Sequence, residues 1–218
     1  MMCHYWDIFS LSPKHLNLLL LIVSILCSTF IFGRELSLKP MIANTPVVLH
    51  SSIVHNNDSI IITSFKAYIV IPTLTDTFVH LLDIEDNLIC SIPDDAESVI
   101  IGIDSMQTVK TNFSGALDPI NGMFWTWNSG YINVKIEGIS QRSMQRNHIF
   151  QMHLGGFTAP HQVSIPLRIP RNTPIKLSID IAPCIDAVLS NYQGTVMSPG
   201  KHAHELMGIL QRSITIEQ

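Results

Sequence analysis

Two tryptophans, a methionine and a histidine are the side chains whose type and spacing invite a chemical reading. Residues 115 to 131 read GALDPINGMFWTWNSGY. Asp118-Pro119 and Asn121-Gly122 bend the chain, and Met123, Trp125 and Trp127 then follow at i, i+2 and i+4. On an extended chain those three side chains share one face. Downstream, His153 stands just before Gly155-Gly156, on a segment whose alternation groups it with Ile149 and Gln151 rather than with Phe150 and Met152. By residue type alone, paired indoles on one strand face are packing or interface groups. A lone strand histidine is, by the same measure, a hydrogen-bonded side chain.

Nothing else in the chain assembles a reaction centre. No HExxH, CxxC or nucleophile elbow occurs. No nucleophile, base and orienter stand together, so the chain is read as a non-enzyme. Asp94-Asp95 and Glu85-Asp86 read as solvated turn charges. The remaining histidines are read singly: His55 in a surface loop, His161 at an edge or loop, and His148 on the strand of His153 but facing the other way. His202 and His204, two apart on an expected helix, point to different faces.

The elements that must position these residues are strands. From about residue 45 the hydrophobic period is mostly two. Residues 59–71, 78–82, 99–103, 131–137, 148–154, 163–169, 175–181 and 212–217 read as strands. In 131–137, Ile132, Val134 and Ile136 face one way and Tyr131, Asn133, Lys135 and Glu137 the other, the arrangement of a half-buried antiparallel strand. Turn residues punctuate the runs, among them Asn56-Asn57-Asp58, Pro93-Asp94-Asp95 and Gly155-Gly156. The expected fold is all-β: a single antiparallel β-sandwich of immunoglobulin-like or jelly-roll type. One or two short helices accompany it. Ser198-Pro199 caps one whose stripe is Ala203, Leu206, Met207 and Leu210, and another lies around 185–189.

The 218 residues suit one domain, and 46% hydrophobic with 14% charged is too apolar for disorder. A net charge of −4 does not suggest nucleic acid, which calls for a basic patch. Much of the apolar excess is one block, LNLLLLIVSILCSTFIF at 16–32. It reads as a signal peptide or, failing that, a retained anchor. Either reading makes 1–33 a leader or anchor and 34–218 the domain. That domain then lies outside the cytoplasm, with contact to a membrane only through the N-terminal segment. Leu26 disfavours a lipid on Cys27, where a small residue is expected. Of the four cysteines, Cys90 and Cys184 remain in the domain, and whether they pair is open.

GALDPINGMFWTWNSGY, then YINVKIEG, then MHLGGF together resemble the MbnP-like family, in the version found in Bacteroidetes-type envelope proteins. ITSFKAYIVIPTL at 62–74, IGIDS at 101–105 and MSPGKHAHELM at 197–207 extend the resemblance over nearly the whole mature chain. The resemblance implies a β-sandwich in the periplasm or outer envelope that binds copper. The site in such relatives depends on a tryptophan oxidised to kynurenine by a partner di-haem enzyme of the cytochrome c peroxidase type. An indole ligates metals poorly because it is only a donor. Kynurenine offers an aromatic amine and a ketone oxygen, which suit copper beside imidazole.

Carried over residue by residue, His153 matches the family's HLG histidine, Trp125 and Trp127 its paired tryptophans, and Met123 on the same face is a soft candidate ligand. Relatives from methane oxidisers add a histidine shortly before the FW motif, another in the early strand and, in some, a third two residues after the modified tryptophan. Here Met106 to Gly115 and Tyr68 to Ile71 hold none, and Ser129 stands at the third position. The alternative function is a protein- or glycan-interaction module of the same fold, with the tryptophans as core or docking surface.

Overall fold

The computed structural model describes residues 33–74, 76–103, 105, 113–126, 129–171 and 173–217, of which Arg34–Gln218 form one compact unit. Residues 1–32, with the expected leader or anchor and Cys27, and Trp127 lie outside the described residues. Among the described residues no helix is long and apolar enough to cross a membrane.

Among the described residues, fourteen strands in two sheets build the unit. The smaller sheet runs β14 (Ile214–Glu217), β12 (Ile175–Asp180), β1 (Gly33–Ile42), β2 (Thr45–Pro46), with β6 (Ile89–Pro93) also on β1. The larger runs β11 (Ile165–Arg168), β7 (Ser98–Ile101), β4 (Asp58–Pro72), β9 (Gly130–Ile139), β10 (Ile149–Gly155), β13 (Thr195–Val196). Onto it are added β3 (Ser52–His55) and β5 (Thr77–Asp83), both on β4, and β8 (Phe124–Thr126) on β9. The result is the sandwich-like all-β fold expected, with one correction. The sheets are mixed rather than wholly antiparallel, since β1 pairs β12 and β10 pairs β13 in parallel.

The main core draws on both sheets: Leu36 and Leu38 of β1, Leu177 and Ile179 of β12, Phe65, Ile69 and Ile71 of β4, Val134 and Ile136 of β9, and Phe150, Met152 and Leu154 of β10. Among the described residues, two helices close it. α1 (Ala182–Asn191) has a proline in its first turn and buries Cys184, Ile185 and Val188. α2 (Lys201–Arg212) buries the expected stripe of Ala203, Leu206, Met207 and Leu210. It starts two residues after the expected cap, because Gly200 with φ 136° breaks the chain before the helix and Pro199 packs toward Gly156.

Cys90 and Cys184 are both free and buried, and burial pushes each thiol up to about 12. They therefore behave as small hydrophobes.

Arg34 opens the unit as a clasp. Its guanidinium, 7% exposed, donates to the carbonyl oxygens of Pro93, Ala96, Pro170 and Thr173.

Candidate functional site

The larger sheet is buried on its outer face too. Tyr68 and Val70 alternate with the core residues Ala67, Ile69 and Ile71, so they point away from the main core. With Ile103, Met123, Tyr131 and Ile132 they form a second apolar cluster, against which Val79, Leu81, Phe124 and Trp125 pack. Its cover is the stretch 113–126.

Local chemistry shapes that cover. The Asp118 side chain accepts from the Ile120 amide, Pro119 opens a single 3-10 turn, and Gly122 ends it at φ 69°, a conformation that favours glycine. The Asn121 amide donates to the carbonyls of Gly115 and Ala116. Two phenols then pin the cover to the sheet. The Tyr68 hydroxyl donates to Ala116 O and the Tyr131 hydroxyl to Leu117 O, each at 3.0 Å. Their rings meet edge-on at 5.7 Å, and burial raises both phenol pKa values.

Trp125 lies against β10. A Cβ on Gly155 would stand 2.8 Å from its Cζ3, so the indole rests where that residue has no side chain. His153 is two residues back along the same strand, about 7 Å away along its axis. It is 7% exposed and shares the outer face with Ile149 and Gln151, while Phe150, Met152 and Leu154 enter the core. The structure thus brings His153, Trp125 and Met123 to one end of the outer face. Met123 is fully buried inside the second cluster. Trp127 lies outside the described residues.

The group that residue reading missed is Glu137. His153 Nε2 donates to Glu137 Oε1 at 2.7 Å. Gln151 Nε2 donates to the same oxygen at 3.0 Å, and Lys135 Nζ stands 3.7 Å from it. The hydrogen bond from His153, followed by Gln151 and the Lys135 charge, outweighs burial and draws the Glu137 carboxyl down to about 2. Ionised, it can only accept, so Nε2 carries the proton and the neutral ring keeps its lone pair on Nδ1. Among the described residues no hydrogen-bond partner falls on Nδ1. Beyond this group a charged row continues across the sheet: His153 faces Lys135, Lys135 faces Lys66, and Lys66 pairs Asp83 at 2.7 Å.

The other histidines are placed individually. His55 binds Asp186 at 2.9 Å. His148 sits in a one-turn 3-10 helix at φ 56°, ahead of β10 rather than on it as expected. Among the described residues no group of three or more His, Cys, Asp or Glu could hold a metal ion.

A family model described as MbnP matches residues 33–198. The chain belongs to the MbnP family. MbnP from Methylosinus trichosporium is a similar solved structure, with a TM-score of 0.51 and 12% identity over 70% of this chain and 76% of that one. At that identity the likeness is one of fold. No curated protein matches.

As a test of whether this member of the MbnP family suits copper, the donor set is informative. A metal-bound histidine commonly gives its second N–H to a carboxylate, and Glu137 supplies that partner. The described side chains offer this one imidazole nitrogen and the indole of Trp125, which ligates only after chemical change. A copper site here would need a further donor, which the Trp125 ring supplies only if chemically altered.

Proposed function

We propose that this chain is an exported, non-enzymatic MbnP-family protein of the periplasm or outer envelope. Its site is the Trp125–Trp127 ribbon beside His153. Copper is held there once one of the two tryptophans has been oxidised to kynurenine by a di-haem partner of the cytochrome c peroxidase type. The observation that carries this reading is the seating of Trp125 on Gly155, two residues from a histidine already oriented by a carboxylate.

Each residue has a task. Glu137 fixes the His153 tautomer and leaves Nδ1 as the ligating atom. Gly155 leaves room for the ring. Met123 packs beneath the ribbon as an apolar floor. The cover leaves Trp125 half-buried rather than enclosed, within reach of an oxidising partner. Copper bound there would supply a one-electron couple in a nitrogen- and oxygen-donor site.

The experiment is production with and without the di-haem partner, followed by copper analysis. Copper per chain should rise on co-production, and His153→Ala should remove the increment while the tryptophan is still modified. No increment in the parent protein would defeat the reading.

A second reading, an interaction module for protein or glycan, draws on the edge of the cover. Ile120 is 88% exposed there, beside a cleft of about 430 Å³ between β5 and the cover. Under that reading co-production changes neither tryptophan mass nor copper content, while Ile120→Asp weakens partner capture.

A further inference from the structure

A different pair of imidazoles meets where the loop after β10 touches α2. That loop closes on itself, with the Val163 amide on Gly156 O at 2.9 Å and the His161 amide on Thr158 O at 3.1 Å. The closure sets the His161 ring beside His204, with centroids 5.9 Å apart and planes at 57°. Both histidines stand on anchored backbone, since Val163 and Ala203 are fully buried in the main core.

The proton on His204 is placed by its partner. His204 Nδ1 is 2.8 Å from Gln162 O. A carbonyl oxygen only accepts, so Nδ1 donates and the neutral ring keeps its lone pair on Nε2. A backbone carbonyl on the second nitrogen is one of the usual supports of a metal-ligating histidine. A metal 2.0–2.1 Å from one nitrogen of each ring puts the ring centroids from about 5 Å apart at a tetrahedral angle to about 6.4 Å apart when linear. The observed separation falls inside that range.

Neighbouring groups on α2 are already engaged. The His202 ring packs on Tyr192 at 4.7 Å, and Glu205 accepts from the Tyr192 hydroxyl at 2.6 Å.

We propose that His161 and His204 form a two-imidazole site for a first-row transition ion that prefers nitrogen ligands, such as Zn²⁺ or Cu²⁺, with water completing the coordination. His204 lies beyond the residues matched by the MbnP family, and the site is independent of tryptophan oxidation.

The test uses the full chain made without a haem partner, titrated with ZnCl₂ and with CuCl₂. One equivalent should bind, and His161→Ala and His204→Ala should each weaken it at least tenfold. His202→Ala should bind like the parent. The imidazole NMR signals of His161 and His204 in the parent protein should move with Zn²⁺, a readout that does not depend on any variant folding. Absence of binding, unchanged affinity in the His161→Ala and His204→Ala variants, or unmoved His161 and His204 signals at saturating Zn²⁺ would each overturn the assignment.

Discussion

His153 and Glu137 are joined diagonally across the β9–β10 pair. The imidazole faces Lys135 in register, yet its Nε2 reaches the carboxylate one pleat further along, at 2.7 Å. This diagonal contact turns a strand histidine into a ring of fixed tautomer on the outer face of the sheet, two residues from the glycine on which Trp125 rests.

The contact has a pH signature. Glu137 has its carboxyl pKa lowered from an ordinary 4.5 to about 2. Its stabilisation is therefore complete above pH 4.5 and is lost as the pH falls through 2. After allowance for solvent screening it amounts to about 1–2 kcal/mol. Glu137→Gln should flatten that part of the acid-stability curve, measured by urea midpoints between pH 6 and pH 2. An equal acid slope in both proteins would refute it.

Gly155 leaves room for the ring. A methyl there would press on Trp125 Cζ3 and on the Tyr131 carbonyl oxygen. Gly155→Ala should cost about 1–3 kcal/mol and shift tryptophan fluorescence. An unchanged spectrum and melting temperature would show that the indole is not seated there.

Two phenols hold the cover. Tyr68→Phe and Tyr131→Phe should each cost about 1 kcal/mol, since each removes one hydrogen bond to the cover and leaves the ring in place. Limited proteolysis near the exposed Ile120 should quicken in both variants. Cleavage at the parent rate would show that ring packing alone fixes the segment.

The fold's strand content was legible because alternation was clean in β4, β9, β10 and β12. Two features were not. β1 follows directly on the apolar block at 16–32, so its alternation of Leu36, Leu38 and Ile42 merged with that block, and its parallel pairing with β12 was missed with it. The face assignment of Ile132 also failed, because a bulge between Leu154 and Gly155 shifts the register and sends Ile132 to the outer cluster while Val134 and Ile136 stay in the core.

At the site, residue type singled out His153 and Trp125, and parity placed His153 correctly on the outer face. Glu137 was seen on the polar face of its strand but not as a partner. Residues 140–148 separate β9 from β10, and a connection of that length leaves register undetermined by sequence.

Arg34 ties two loops of the unit together. Its guanidinium holds four carbonyls from two loops, and Arg34→Met should cost about 2–4 kcal/mol because each carbonyl loses a charged donor. If the chain is exported as proposed, N-terminal sequencing of the mature protein should begin at or before Arg34. A mature chain starting later would contradict the clasp.

The most direct measurement is peptide mass mapping of residues 115–131 after production with the di-haem partner. One of Trp125 and Trp127 should carry the mass of kynurenine, and the same peptide made without the partner should be unmodified. Two intact tryptophans in the presence of an active partner would contradict the proposal that this ribbon is a site of oxidation.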